Sequence, residues 1–326
     1  MKRAAVILSS ALLQSGCGGV QSALNAQGPS AAALKALIIV IVAVCVVVWI
    51  AVMIVLVAAL LRRRDARAVP DHVLHRPVMA AVAATVVVVA ALTVVSFQAT
   101  RRLAPDENAA VTIRVRAQQW WWQFDYEDAD PARAFRTANE IHVPVGKTVR
   151  VTLESADVIH SFWVPSLAGK QDLIPGRHNV LTFRADRPGI YRGQCAEFCG
   201  LQHAHMAFLV IAEEPEAYDR WVQMQRAGAV EPENPEASAG KTVFMTRQCA
   251  ACHTIRGTQA TGTTGPDLTH VGGRRTIAAG LLENTRGSIA AWIADPQTLK
   301  PGNNMPLVPL PAEELRQVSA YMEGLK

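Results

Sequence analysis

The chain has 326 residues, a net charge of +5 and a hydrophobic content of 50%. This length allows two modest domains plus membrane segments. Nucleic-acid binding is a poor explanation of the basic charge, because the arginines do not form a basic stripe with interleaved aromatic residues and many of them flank apolar segments instead.

The first 16 residues are typical of a secretory signal peptide. Two basic residues precede an apolar core at 4–13, which is too short to span a bilayer. The residues before Cys17 resemble a lipoprotein cleavage site, although Gln14 stands where an apolar residue is preferred. Lipidation of Cys17 and ordinary cleavage elsewhere both stay open. Residues 17–35 would then form a short exported segment.

Two uncharged apolar runs predict a transmembrane hairpin over residues 36–97. The runs at 36–61 and 78–97 each reach the ~20 residues that cross a hydrocarbon core. Runs this long without charge disfavour the alternative of buried core helices. The connection between them is rich in arginine, which predicts that it lies in the cytoplasm. Its basic residues are Arg62, Arg63, Arg64, Arg67 and Arg76.

A β-sandwich is predicted between residues 111 and 212. Apolar and polar residues alternate at 111–115 and 148–153, and turn residues separate these runs from further short strands. The pattern fits a cupredoxin-like Greek-key barrel. With a trailing surface helix at 213–226, this domain would extend over residues 98–226.

Residues 195–206 carry a dense group of metal-binding side chains. Thiolate, imidazole and thioether together form a soft ligand set, which favours copper. A blue-copper site needs one cysteine, so two cysteines four positions apart can instead bridge two copper ions. His160 follows an apolar strand-like run and is well placed to supply a further imidazole. The group consists of Cys195, Cys199, His203, His205 and Met206.

Two alternatives remain at this loop. Cys195 and Cys199 would also allow a disulfide, but a disulfide does not need the histidines and the methionine that follow. His203 and His205 compete for one ligand position. We favour His203, because its four-residue offset from Cys199 lets it close the loop around the metal ions.

The segment at 227–238 has no apolar periodicity and contains two prolines, so it is predicted to be a linker. A small all-α domain would follow at 239–326. Ser238 is expected to cap its first helix at 239–247, and another helix is predicted at 313–324.

The all-α domain contains Cys249, Cys252 and His253 in a C-x-x-C-H motif, the attachment signature of a c-type haem. His253 would be the proximal iron ligand. Met305 would be the second axial ligand, which is the ligation of cytochromes c. Half a zinc site and a Cys249–Cys252 disulfide are the alternatives, and neither explains Met305.

The loop at 195–206 resembles the binuclear copper (CuA) loop of cytochrome c oxidase subunit II. Residues 119–126 resemble the aromatic segment of that family, and 157–177 resemble its first-histidine region. Together with the C-terminal haem c domain, the chain is similar to the caa-type variant of this subunit.

The resemblance implies a set of site residues and cofactors. Trp120 would be the surface point where electrons enter the copper centre, and the side chain of Glu197 would reach a magnesium ion shared with subunit I. The copper ligands would be His160, Cys195, the Glu197 carbonyl, Cys199, His203 and Met206, and the haem ligands Cys249, Cys252, His253 and Met305.

The implied function is the second subunit of a respiratory terminal oxidase. Electrons from cytochrome c or another donor would pass through haem c and CuA to haem a of subunit I, where oxygen is reduced to water with proton pumping. Further oxidase subunits and membrane lipid are expected partners, and nucleic acid is not. Because haem c is attached outside the bacterial cytoplasm, the soluble domains and both termini would lie on the periplasmic side of the inner membrane.

Two other functions stay open, and one family feature is absent. The same module could serve a nitric oxide reductase, or a membrane-tethered electron carrier without an enzyme partner. The family usually begins its second helix with a glutamate and a tryptophan near the cytoplasm. The corresponding region, 71–77, has neither, and we expect it to be a polar loop.

Overall fold

The computed structural model describes residues 19, 21–61, 71–103 and 108–326. The predicted signal peptide, Cys17 and the arginines at 62–67 lie outside the described residues. The chain divides into two compact units. One is Ala32–Ala104, and the other combines Pro105–Lys326 with the N-terminal part up to Ala31.

The first of these units contains the two predicted apolar helices. Helix α1 is Pro29–Leu61 and helix α2 is Asp71–Arg102. Both are long and apolar enough to cross a membrane by length and composition. Each extends beyond its apolar run, and α2 begins at Asp71, so the expected polar loop at 71–77 is wrong. Polar flanks continue a helix readily, because the helix satisfies its own backbone hydrogen bonds.

Two five-stranded sheets form the sandwich domain (108–226). One sheet has the order β3-β2-β1-β5-β8 and the other β4-β10-β9-β6-β7. The trailing helix α3 is Pro215–Arg226. The strands are β1 Val111–Gln118, β2 Trp121–Tyr126, β3 Phe135–Ala138, β4 Glu140–Pro144, β5 Val149–Ser155, β6 His160–Trp163, β7 Gln171–Leu173, β8 Asn179–Phe183, β9 Gly189–Cys195 and β10 Ala207–Glu213.

Alternation along the strands places the core between the two sheets, as the sequence predicts. In β1, Ile113 and Val115 are fully buried while Arg114 is exposed. Large aromatic side chains fill the centre. The rings of Trp122 and Phe208 lie 5.1 Å apart, a spacing at which aromatic pairs stabilise a core beyond their buried area.

The C-terminal helical domain (235–326) begins earlier than the sequence indicated. Asn234, rather than Ser238, caps its first helix, and the Asn234 side chain accepts a hydrogen bond of 2.7 Å from the Ala237 N–H. Pro235 at the first helical position favours this start. The helices are α4 Pro235–Thr246, α5 Cys249–Cys252, α6 Arg286–Ala294, α7 Pro296–Leu299 and α8 Ala312–Gly324, and the short strands are β11 Thr276–Ile277 and β12 Leu282–Glu283.

Contact between the sandwich domain and the helical domain is direct. The Ala207 N–H donates to the Ala279 carbonyl at 2.9 Å. The Arg275 N–H donates to the Glu140 carboxylate, also at 2.9 Å. The segment that joins the domains is itself packed, since the Ala229 N–H donates to the Arg256 carbonyl at 2.8 Å. The two domains therefore form one unit rather than two bodies on a free tether.

The close packing of Gly193 against Phe208 generates a stability prediction. A Cβ at Gly193 would lie 2.2 Å from the Phe208 ring. Gly193→Ala should therefore lower the free energy of unfolding by about 1–3 kcal/mol, the usual cost of overpacking. Gly287→Ala is the matched control, since its nearest neighbour would be 3.9 Å away, and it should raise stability by up to about 1 kcal/mol. Thermal unfolding of the full chain in detergent would measure both, and equal shifts would contradict the packing argument.

Candidate copper and haem sites

Neighbouring strands bring the predicted metal ligands together. Strand β6 pairs with β9 so that Phe162 lies opposite Cys195. His160 begins β6 and Cys195 ends β9, so the two residues lie at the same end of this antiparallel strand pair. The loop from 195 to 206 then turns back into β10, which returns Met206 to the same end.

Six donor atoms from the predicted ligand residues converge there. The sulfur atoms of Cys195 and Cys199 are 3.7 Å apart. Around Cys195 Sγ lie His160 Nδ1 at 3.9 Å and the Glu197 carbonyl oxygen at 3.2 Å. Around Cys199 Sγ lie His203 Nδ1 at 3.7 Å and Met206 Sδ at 3.8 Å. This soft donor set fits two copper ions bridged by two thiolates.

A carboxylate outside this set orients His160. Asp157 Oδ1 lies 2.8 Å from His160 Nε2, which leaves Nδ1 facing Cys195. Burial alone would raise the pKa of Asp157, but hydrogen bonds from His160 and from the Gln119 and Val158 N–H groups lower it below its ordinary value. Such outer-shell carboxylates fix the tautomer of a metal-binding imidazole. The sequence pattern gave no signal for this role of Asp157.

The two thiols ionise very differently. The hydrogen bond from Cys199 is the main reason that the pKa of Cys195 is lowered, to about 3, with His160 and backbone groups adding to the effect against the cost of burial. The same contact raises the pKa of Cys199 far above its ordinary value, and burial adds to the rise. Two thiolates this close repel each other, so a cation is needed before both can lose their protons.

The structure separates the two competing histidines. His203 Nδ1 faces Cys199, whereas His205 Nδ1 lies 2.9 Å from the side-chain oxygen of Gln202. His205 is also exposed. The geometry therefore favours His203 as the ligand, in line with the spacing argument.

A cavity in the helical domain gathers the predicted haem residues. It is lined by Cys249, Cys252, His253 and Met305, and its empty volume is about 1440 Å³ including the open mouth. Its walls are mainly apolar, and cofactor sites of this kind commonly combine apolar walls with a few placed polar groups.

The imidazole of His253 is fixed for ligation. Its Nδ1–H donates to the Pro266 carbonyl at 2.8 Å, which leaves Nε2 free to face the cavity. Burial lowers the pKa of His253, so the neutral, metal-binding form is favoured. A Cβ at Gly265 would lie 2.6 Å from the ring, so only glycine permits this close approach.

The loop that carries Met305 is also held in place. The Gln297 side-chain amide donates to the carbonyls of Asn303 and Met305 at 2.8 and 2.9 Å. The Met305 N–H donates to the Asn303 side chain at 2.8 Å. A thioether on a supported loop that lines the same cavity as His253 fits a second ligand of a cytochrome c haem.

Arg274 provides an independent test of the fit. Its guanidinium lines the cavity, and its buried Nε has no hydrogen-bond partner among the residues that the structure describes. Nη2 donates to the Asp267 carbonyl, and burial lowers the pKa of the group. A buried cation with an unpaired donor fits a bound anion such as a haem propionate. The sequence analysis did not identify this arginine, because nothing in its local pattern marks it as buried.

Trp120 lies between the two sites. Its indole N–H donates to the Cys199 carbonyl at 3.0 Å, and its ring lines the haem cavity. Gly200 allows this contact, since its φ is +113° and a Cβ there would lie 3.1 Å from the Trp120 ring. Only 8% of Trp120 is exposed, because the helical domain covers it. Within this chain Trp120 contacts both the copper loop and the haem cavity and is covered, so its predicted surface position is wrong.

The side chain of Glu197 is partly exposed and pairs with Lys170 rather than with the thiols of the copper loop. Its carboxylate lies 3.1 Å from Lys170 Nζ, and both side chains are about half exposed. This exposure leaves the carboxylate accessible to a partner, while its carbonyl faces Cys195.

Family models match both domains. Residues 129–213 match the model for "Cytochrome C oxidase subunit II, periplasmic domain", and residues 237–326 match the model for "Cytochrome c". These matches cover the copper loop and the haem motif, respectively.

Relatives with similar sequences are named cytochrome c oxidase subunit 2. The protein from Alkalihalophilus pseudofirmus is 43% identical over 217 residues, which are 66% of this chain and 61% of that relative. The protein from a Bacillus species is 34% identical over 233 residues, 68% of this chain and 64% of that relative. The matched region thus spans about three fifths of the length of these relatives.

A solved structure is similar as well. It is the periplasmic domain of subunit II of cytochrome oxidase from Bradyrhizobium japonicum, with 34% identity over 37% of this chain and 96% of that chain, and a TM-score of 0.35.

The matches to the two family models agree with the geometry of the copper and haem sites. The chain therefore carries the periplasmic domain of the cytochrome c oxidase subunit II family, followed by a cytochrome c domain.

Proposed function

We propose that this chain is the electron-accepting subunit of a respiratory haem–copper oxidase. When bound, haem c and the binuclear copper centre supply one-electron carriers between an external donor, such as cytochrome c, and haem a of subunit I. Oxygen reduction to water and proton pumping would take place in the other subunits. The names of the similar relatives favour an oxidase over a nitric oxide reductase.

The position of Trp120 is the observation that carries this proposal. The indole N–H of Trp120 donates to the Cys199 carbonyl in the copper loop, and the same indole ring lines the haem cavity. A carrier without an enzyme partner would need one redox site, whereas here two sites share one aromatic wall. Trp120 is thus proposed as the route into the copper centre, with the helical domain as its donor side.

The proposed copper ligands are the two bridging thiolates, two imidazoles, one thioether and one carbonyl described above. His160, Cys195, Cys199 and Met206 are buried. One sheet holds His160 and Cys195 at strand ends, and the loop between β9 and β10 carries the others, so little needs to move when the charge of the site changes. The ligands are His160, Cys195, Glu197, Cys199, His203 and Met206.

The proposed haem ligands follow the same logic. Cys249 and Cys252 would hold the porphyrin by thioether bonds, and His253 and Met305 would be axial to the iron. Arg274, which lines the cavity, would pair with a propionate. The carbonyl of Pro266 keeps the His253 proton on Nδ1.

The membrane and partner contacts are part of the proposal. The arginine-rich connection at 62–67 supports a cytoplasmic position for that segment and a periplasmic position for the soluble domains. The exposed carboxylate of Glu197 is proposed to bind magnesium together with subunit I. Lys170, its present ion-pair partner, would be displaced on assembly.

The copper assignment is tested at the two histidines. His203→Ala should lower copper affinity by at least about tenfold to hundredfold, the loss seen even for outer-shell partners. It should also abolish the electron paramagnetic resonance pattern of one electron shared by two copper nuclei. His205→Ala is the matched control and should keep two copper ions and the shared-electron pattern. The reverse result would assign the ligand to His205.

The haem assignment is tested at Met305. Met305→Ala should retain covalently bound haem, bind carbon monoxide more readily when reduced, and lower the reduction potential, because a thioether favours the ferrous state. Met224→Ala is the control, since Met224 is exposed on α3, and its spectra and potential should match the wild type. An unchanged potential in Met305→Ala would show that another residue is the distal ligand.

The electron route is tested at Trp120. Trp120→Gln removes the aromatic wall and should slow haem-to-copper transfer at least about tenfold, which corresponds to about 1.4 kcal/mol of barrier. Trp120→Phe keeps an aromatic ring but loses the hydrogen bond to Cys199, so its rate should lie between the two. Stopped-flow traces at the haem and copper absorption bands would measure the step. Equal rates in all three proteins would mean that electrons take another path.

A further inference from the structure

Lys300 is a buried lysine at the boundary between the sandwich domain and the helical domain. Only 2% of the residue is exposed. Its ammonium donates to the carbonyls of Trp120 and His205 at 2.8 Å each, and to the carbonyl of Ala278 at 2.9 Å. An ammonium has three protons, so all its donors are used.

This arrangement is costly unless all three contacts form. Burial lowers the pKa of Lys300 to about 7, with Cys199 acting in the opposite direction. Lysine is almost never buried without partners. Three carbonyl oxygens at hydrogen-bond distance favour the charged form and replace the lost water. The ammonium therefore holds three particular backbone positions together.

Those three positions belong to the parts that matter for the proposed electron path. Trp120 is the proposed route into the copper centre. His205 precedes Met206, a proposed copper ligand, in the copper loop. Ala278 belongs to the helical domain, and Lys300 itself lies five residues before Met305 in the loop that carries the distal haem ligand.

Neighbouring contacts cross the same boundary. The Gln202 side chain donates to the Pro301 carbonyl at 2.8 Å. The Asn304 side chain donates to the Gln119 carbonyl at 3.2 Å. Each joins a residue beside Lys300 or Met305 to the copper side of the boundary, but each is a single neutral hydrogen bond. Lys300 is the charged and fully engaged member of this group.

We propose that Lys300 is a positioning residue for electron transfer, whose ammonium fixes the Met305 loop against Trp120 and the copper loop. This inference rests on the proposed function. It predicts that transfer takes place within one docked arrangement of the two domains. Docking in a fixed geometry removes the need for a diffusive encounter through the joining segment.

Lys300→Met tests the inference in the full chain, loaded with haem and copper in detergent. The side chain keeps its approximate length but loses its charge and all three donors. Hydrogen exchange at the Ala207 and Arg275 amides reports on docking directly, because their acceptors lie across the boundary. Loss of a charged donor should speed this exchange about tenfold to hundredfold. Exchange at Val151, in the sandwich core, should not change.

Electron transfer supplies the second readout. In the wild type, the haem-to-copper rate should not depend on solvent viscosity. In Lys300→Met it should fall as viscosity rises, because the domains must then find each other. Haem and copper spectra and potentials should stay unchanged, which separates positioning from damage to either site. Lys241→Met is the matched control, since Lys241 makes an ion pair with Glu231, away from the copper loop, and it should behave as the wild type.

The outcomes are distinguishable. If the wild type shows no haem-to-copper transfer, the proposed function is wrong. If the wild type transfers electrons and Lys300→Met shows the same amide exchange and the same viscosity independence, only the role of Lys300 is wrong. Lys300→Gln, which keeps two amide protons but no charge, should give an intermediate increase in exchange, and it replaces Lys300→Met if that variant does not fold. Wild-type exchange in Lys300→Gln would also overturn the proposal.

Discussion

The two buried thiols of Cys195 and Cys199, 3.7 Å apart, impose the constraint on which the rest of the structure depends. One thiol gives up its proton easily and the other resists, because two adjacent negative charges in a buried site repel each other. Cationic metal resolves this conflict by replacing the second proton. The sandwich makes the arrangement possible, since β6 and β9 are hydrogen-bonded neighbours and fix His160 beside Cys195 before any metal binds.

A second constraint follows from where Trp120 lies. Its indole N–H is used by the Cys199 carbonyl and its own carbonyl by Lys300, so the residue is held from both domains. The same indole ring lines the haem cavity. Moving either domain would therefore disturb Trp120, and the copper loop and the Met305 loop are mechanically connected through it. The packed joining segment agrees with this picture, because a segment bonded to Arg256 does not act as a long flexible tether.

The sequence predicts the parts of this structure that have local or chemical signatures. Alternation identified β1 and β5, and the long apolar runs identified α1 and α2. The soft donor types at 195–206 identified the copper loop, and the ligand atoms do converge in the structure. The choice of His203 followed from spacing alone, and the hydrogen bond of His205 to Gln202 supports it. These features are visible because each depends on side-chain type at a short, fixed offset.

The parts that escaped prediction depend on backbone atoms or on distant chain segments. Lys300 bonds only to carbonyl oxygens, and every residue type offers one, so its acceptors leave no trace in the sequence. Arg274 looks like an ordinary surface arginine until the fold encloses it beside His253. Helix α4 begins at Pro235 and not at the predicted residue 239, because Asn234 as the N-cap and Pro235 as the first helical residue favour a helix start more than Ser238 alone. Docking of the two domains belongs to the same class: the Lys300 ammonium and the Arg256 guanidinium both cross the boundary to donate to backbone carbonyls, so much of the specificity there lies in the shape of the backbone. Because every residue type supplies a carbonyl, substitution of an acceptor residue leaves these contacts in place, whereas substitution of Lys300 removes three hydrogen bonds at once, beside the copper loop and the Met305 loop.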